Sequence, residues 1–155
     1  MILTTLCYIE KEDCYLMLHR VKKEVDVNKG KWIGVGGKFE KDESPDECLL
    51  REVKEETGLT LLSYRMRGVL TFQSTGWESE YIFLYTADEY EGELKDCSEG
   101  ILKWIPKDEI DKLNLWEGDK IFLEYLKEER PFFSMKLCYD KDILKEVRVD
   151  GKILE

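Results

Sequence analysis

GVGGKFEKDESPDECLLREVKEETGL, residues 34–59, joins a glycine-rich turn to a helix with both ends marked in the sequence. Ser44 is a strong N-cap and Pro45 suits the first helical position. Glu47, three residues after Ser44, completes a capping box. Gly58 supplies a residue at ease in the left-handed conformation that stops a helix. These signals predict a helix over 45–57. On it, Glu52, Glu55 and Glu56 stand at i, i+3 and i+4 and so share one face. Like charges so placed weaken a helix by a few tenths of a kcal/mol per pair, which Arg51, four residues before Glu55, offsets in part. Two readings stay open: a solvated face in a chain rich in Glu, or a site for a hard cation, for which oxygen-only ligation suits Mg²⁺.

The glycines of the same stretch fail the nucleotide patterns. Gly34 and Gly36 begin G-x-G-x-x-G, but Phe39 stands where the third glycine belongs, and Lys38 is followed by Phe39 and not by Ser or Thr. By themselves they mark a bulge or tight bend. A zinc site lacks ligands, because the chain has one His and no C-x-x-C. That residue, His19, falls inside an expected strand and is read as structural or surface. No G-x-S-x-G is present, which removes the main support for a serine hydrolase.

Outward from the helix, residues 2–9 and 14–20 are apolar runs separated by a polar turn, the pattern of a hairpin. Residues 22–31 are charged and loop-like, and 32–37 are short, apolar and glycine-laden. Strands are expected at about 60–73, 79–87 and 101–105. Weaker helices start near Pro106 and near Trp116, the latter reaching about Lys127. Residues 132–139 and 143–149 form a closing strand pair. The class is mixed α/β in one domain. The 155 residues are 43% hydrophobic and 12% aromatic, enough for a core. A formal charge of −10 disfavours nucleic-acid polymers and anionic membranes as partners, though not a small phosphorylated ligand held by cations. No apolar run approaches membrane-spanning length, the start MILTTLCYIEKED lacks a basic leader, and five scattered cysteines suit reduced thiols. A cytoplasmic location is the expectation.

Taken as a whole, Gly37, five residues, Glu43, seven residues and Arg51-Glu52-Val53-Lys54-Glu55-Glu56-Thr57-Gly58-Leu59 resemble the Nudix hydrolase signature G-x5-E-x7-R-E-U-x-E-E-x-G-U, where U is aliphatic. All seven fixed identities and both aliphatic positions are filled. Residues 30–38, Gly68–Phe72, Glu99–Trp104 and Leu115–Asp119 look like the MutT-type oxidised-purine nucleoside triphosphatases, most of all the bacterial 8-oxo-dGTP diphosphatases. The resemblance covers nearly the whole chain, 1–155.

That resemblance implies an α/β/α sandwich around a mixed sheet. It implies hydrolysis of a nucleoside triphosphate to the monophosphate and pyrophosphate with Mg²⁺ or Mn²⁺. Carried onto this sequence, Glu52, Glu55, Glu56 and the carbonyl of Gly36 bind metal, and Glu99 adds a carboxylate as ligand or general base. Glu55 is the other candidate base. Arg51, paired with Glu43, orients the carboxylates. Lys38 and Arg20 reach the phosphates. Phe72, Trp116 and Asp119 receive the base, Asp119 gaining a proton if burial raises its pKa. Each has a plain alternative: strand packing for Phe72, a core anchor for Trp116, a first-turn helix acid for Asp119. Trp32 is read as a core residue. Ile33 and Gly118 stand where the animal enzymes of this type carry Asn and Asp, so two polar base-reading groups are absent. ADP-ribose, a dinucleoside polyphosphate or a normal (d)NTP is the alternative substrate. A nucleotide sensor without catalysis is the alternative of another class; such a module would be expected to lose box carboxylates, all of which are present. An acidic protein-interaction domain with a relic box is a weaker one.

Overall fold

The computed structural model describes residues 1–155. The main sheet is built from β4 (Val35–Lys38), β1 (Ile2–Lys11), β6 (Glu80–Glu91), β5 (Thr60–Ser74), β8 (Phe133–Asp140), β9 (Ile143–Val149) and β10 (Lys152–Ile153), in that spatial order. It is mixed: β1 runs parallel to β6 and β5 parallel to β8, and the other pairings are antiparallel. A smaller antiparallel sheet joins β3 (Trp32–Ile33), β2 (Cys14–His19) and β7 (Ile101–Pro106). The expected hairpin of β1 and β2 is present but pairs only at its tip, Glu10 with Tyr15 and Lys11 with Cys14. Beyond the tip the strands part, one into each sheet.

Helix α1 (Pro45–Thr57) and helix α2 (Glu117–Lys127) cover opposite faces of the main sheet, the expected sandwich. Strand alternation sorts the residues. Cys7, Ile9 and Tyr85 face Leu49 and Val53 of α1. Tyr8, Leu70, Leu84 and Met135 face Phe122 and Leu126 of α2.

The capping box of α1 is complete. The Ser44 hydroxyl accepts from the Glu47 amide at 3.1 Å, and the Glu47 carboxylate accepts from the Ser44 amide at 2.9 Å. Gly58 stops the helix at φ 83°. Helix α2 has no such side-chain cap, since Trp116 occupies the N-cap position. The Tyr139 hydroxyl, from distant β8, accepts from the Gly118 amide at 2.7 Å instead and satisfies one of the free first-turn donors. Three elements differ from expectation. The segment after Pro106 is a 3₁₀ helix, Lys107–Lys112; residues 32–37 divide at Gly34 into β3 and β4, one per sheet; and β10 adds a short final strand. A two-residue strand carries too little hydrophobic period to show in a sequence.

Candidate active site

The face of the main sheet that meets α2 opens into a cleft of about 490 Å³. Its floor runs from Gly36 and Lys38 on β4, through Thr4 and Leu6 on β1, Ile82 on β6, and Leu70 and Phe72 on β5, to Leu137 on β8. Trp116 and Asp119 close one end, while Glu52, Glu99 and Arg20 mark the other. Eight residues singled out in the sequence therefore meet in one cavity: Arg20, Gly36, Lys38, Glu52, Phe72, Glu99, Trp116 and Asp119.

At the acidic end, Arg51 organises the α1 carboxylates. Its Nε and Nη2 hold Glu43 in a fork at 2.6 and 2.9 Å, and this guanidinium lowers the Glu43 carboxyl to about 2. Nη1 reaches Glu52 at 2.7 Å and Glu55 at 3.1 Å, and Nη2 donates to the Lys38 carbonyl at 2.9 Å. Helix and glycine turn are thereby tied by one side chain. Two glycines make the approach possible. A Cβ on Gly37 would fall on the Glu52 carboxylate, and one on Gly36 would fall on the Thr5 carbonyl of β1.

Glu56 is the anomaly of the fold. It is 8% exposed, and neither carboxylate oxygen has a hydrogen-bond partner. Burial first, then the nearby charges of Glu99 and Glu52, push its pKa far above the carboxylate range, with Arg20 opposing. Buried carboxylates are normally paired or bound to metal. No three carboxyl groups converge on a common point, because Glu52 and Glu55 lean on Arg51. The orphaned Glu56 oxygens, with an all-oxygen donor set close by, fit a hard divalent cation.

Glu99 comes from the loop before β7 and pairs with Lys23 at 2.8 Å and Arg20 at 3.6 Å. Arg20 is anchored in turn by Asp26 at 2.9 Å. Glu55 is 58% exposed and does not line the cleft.

At the apolar end the ring of Trp116 meets Tyr139 with centroids 4.8 Å apart and Phe72 at 5.1 Å, both edge to face. Trp116 and Phe72 thus belong to the core and line the cleft at once. The Trp116 Nε1 donates to Asn28 at 2.8 Å, and Lys31 sits 4.9 Å above its ring. Asp119 is buried beside them; desolvation pushes its pKa up to about 8, with Lys31 pulling it back. A Cβ at Gly118 would press on the side-chain ends of Leu137 and Tyr139, which would have to shift to admit it. Trp32 is half-buried outside the cleft and stacks on His19 at 4.4 Å, consistent with structural readings for both. Sequence reasoning missed Asn28, Tyr139 and Glu80. Glu80, an acid opening an apolar strand, was the one with a visible signal.

The model of the NUDIX domain family matches residues 3–126. A Nudix hydrolase of Bacillus subtilis (strain 168), named YvcI, is 31% identical over 127 residues, 79% of this chain and 77% of its own. The oxidized purine nucleoside triphosphate hydrolase of Danio rerio is 29% identical over 123 residues, 78% of each chain. Among solved structures, the mutator MutT protein of Bacillus halodurans superposes with a TM-score of 0.85 at 29% identity, covering 98% of this chain and 99% of its own. With the glycine turn, the Arg51 network and the α1 carboxylates in place, this chain belongs to the Nudix hydrolase family.

Proposed function

We propose that the chain hydrolyses nucleoside triphosphates to monophosphate and pyrophosphate with Mg²⁺ (Mn²⁺ as substitute), and that oxidised purines such as 8-oxo-dGTP are its preferred bases. The observation that carries this reading is the cleft's polarity: Glu52 and Glu99 at one end, with the unpaired buried Glu56 within reach of their charges, and a buried protonatable acid among aromatic rings at the other. Relatives named for oxidized purine triphosphate hydrolysis and for MutT support it.

Glu52, Glu55, Glu56, Glu99 and the Gly36 carbonyl hold the metal in this scheme. When bound, the ion neutralises polyphosphate charge and acidifies a water molecule. Lys38 and Arg20 receive phosphate oxygens. Glu99, which lines the cleft, takes the water proton in preference to the outlying Glu55. Arg51 acts indirectly by fixing Glu52 and Glu55. Arg51→Ala is expected to lower turnover roughly 10- to 100-fold through misplaced carboxylates. Steady-state pyrophosphate release at saturating Mg²⁺ checks this; a variant within twofold of the parent would refute the role.

With Ile33 and Gly118 apolar or bare, Asp119 is the polar reader of the base, and protonated it can donate as well as accept. Steady-state hydrolysis of 8-oxo-dGTP beside dGTP, dATP, dCTP and ADP-ribose tests the substrate. A preference of tenfold or more for 8-oxo-dGTP, with pyrophosphate as product, upholds the proposal. A preference for ADP-ribose would leave the family and remove the substrate.

The buried acid also has a signature in stability. Its pKa is ordinarily near 3.8 and stands at about 8 in the folded chain. Between those values the native state binds a proton that the unfolded chain has released, so stability falls as pH rises across that window and levels off above it. Asp119→Asn cannot ionise and lacks this slope. Urea unfolding should show the variant gaining on the parent more at pH 8.5 than at pH 5; equal differences at both would contradict the assignment.

A further inference from the structure

Glu80 takes no part in the scheme above, yet it lies in the floor of the cleft. It opens β6, where its neighbours across the sheet are Ile2 of β1 and Phe72 of β5. The Thr4 hydroxyl donates to its Oε2 at 2.7 Å, which fixes the side chain, and Oε1 has no protein donor. Desolvation raises the Glu80 carboxyl; the Thr4 hydrogen bond, then the charges of Lys38 and Arg20, draw it back. The carboxylate is half-buried with one oxygen braced and the other open to the cleft, on a floor otherwise mostly apolar, so a donor on a bound ligand can complete it in place of water.

Its position says which donor. Across the floor the strands run β4, β1, β6, β5, β8, with the glycine turn and Lys38 at one margin and Leu137 at the other. Neighbouring strands stand about 4.8 Å apart, so β6 lies roughly 10 Å from either margin. A nucleotide with its phosphates over β4 and its base beside Phe72 and Trp116 places its pentose over β6. Phosphate oxygens would be repelled by a carboxylate there, and Asp119 already serves the base. Sugar hydroxyls are donors of the right kind.

We infer that Glu80, braced by Thr4, is the sugar-reading residue of the cleft, its free oxygen accepting a hydrogen bond from a pentose hydroxyl of the bound nucleotide. The inference rests on the proposed nucleotide substrate and makes Glu80 a determinant of specificity, separate from the carboxylates of the metal end.

The test compares the guanosine, 2′-deoxyguanosine and 2′,3′-dideoxyguanosine triphosphates on the full chain and on Glu80→Met, Glu80→Gln and Thr4→Val. Glu80→Met should lose roughly 10- to 100-fold in kcat/KM on a hydroxylated sugar and stay within about twofold on the dideoxy compound. Glu80→Gln should recover part of the loss, and Thr4→Val should show a smaller loss with the same sugar dependence. An equal fall on all three sugars, or none on any, overturns the inference. Titrating the matching monophosphates into metal-free protein repeats the comparison without hydrolysis. A parent chain that binds them with a hydroxyl dependence lost in Glu80→Met, yet turns nothing over, refutes the proposed activity and upholds the sugar contact.

Discussion

Glu56→Gln should cost about a thousandfold in turnover, equal to roughly 4 kcal/mol of transition-state stabilisation, while leaving the metal-free protein as stable as the parent or more so. The two effects point in opposite directions for one reason. In the metal-free fold Glu56 is buried without a partner beside the charges of Glu52 and Glu99, so at neutral pH its carboxyl must take up a proton that the unfolded chain has released. That arrangement weakens the empty fold, and a neutral amide relieves it. In the proposed scheme a divalent cation takes the same carboxylate as a ligand, so the parent should gain thermal stability on titration with Mg²⁺ or Mn²⁺ and the variant should gain much less. Turnover and melting curves with and without metal check both halves. A variant that melts lower without metal and keeps its turnover would show Glu56 to be an ordinary structural acid.

The second large effect concerns backbone contact. Gly36 of β4 lies opposite Leu6 of β1, and a Cβ there would land on the Thr5 carbonyl. Neither group can swing away, since both belong to paired strands. Gly36→Ala should therefore displace β4 and with it the turn that brings Lys38 and α1 to the cleft. A loss of about 3 kcal/mol, or roughly 6–12 °C in Tm, is expected. Gly76→Ala makes the control. Its φ is +87° but a Cβ there meets nothing, so the cost is only the left-handed conformation, about 1–2 kcal/mol. A Gly36→Ala melting point within 2 °C of the parent would show that β4 can shift freely.

Local chemistry is what the sequence displayed most openly. Ser44, Pro45, Glu47 and Gly58 bound α1 without help from the rest of the chain, and the structure starts and stops the helix where they indicate. The spacing of Glu52, Glu55 and Glu56 placed them on one helical face, but in the fold Glu52 lines the cleft, Glu56 is buried and Glu55 stays exposed. Long-range register was hidden. Asn28 meets the Trp116 indole and Tyr139 meets the Gly118 amide only because loops and strands far apart in sequence converge. Glu80 was one acid among 34 until β1 and β5 closed on either side of it. Glu56 was visible as a carboxylate but not as an orphan, because burial is a property of the assembled sheet.

The parallel pairings have a kinetic consequence. Thr4 lies beside Ile82 and Phe72 beside Leu137, contacts 78 and 65 residues apart in sequence that must form against the entropy of closing long loops. The start and stop signals of α1 are local in sequence, whereas the cavity depends on distant contacts. Its floor requires β1 to meet β6, and its aromatic end waits for β8 to bring Leu137 and Tyr139 under α2. The cleft is therefore completed only by contacts between distant parts of the chain, and the first turn of α2 gains the Tyr139 acceptor only when β8 is in place.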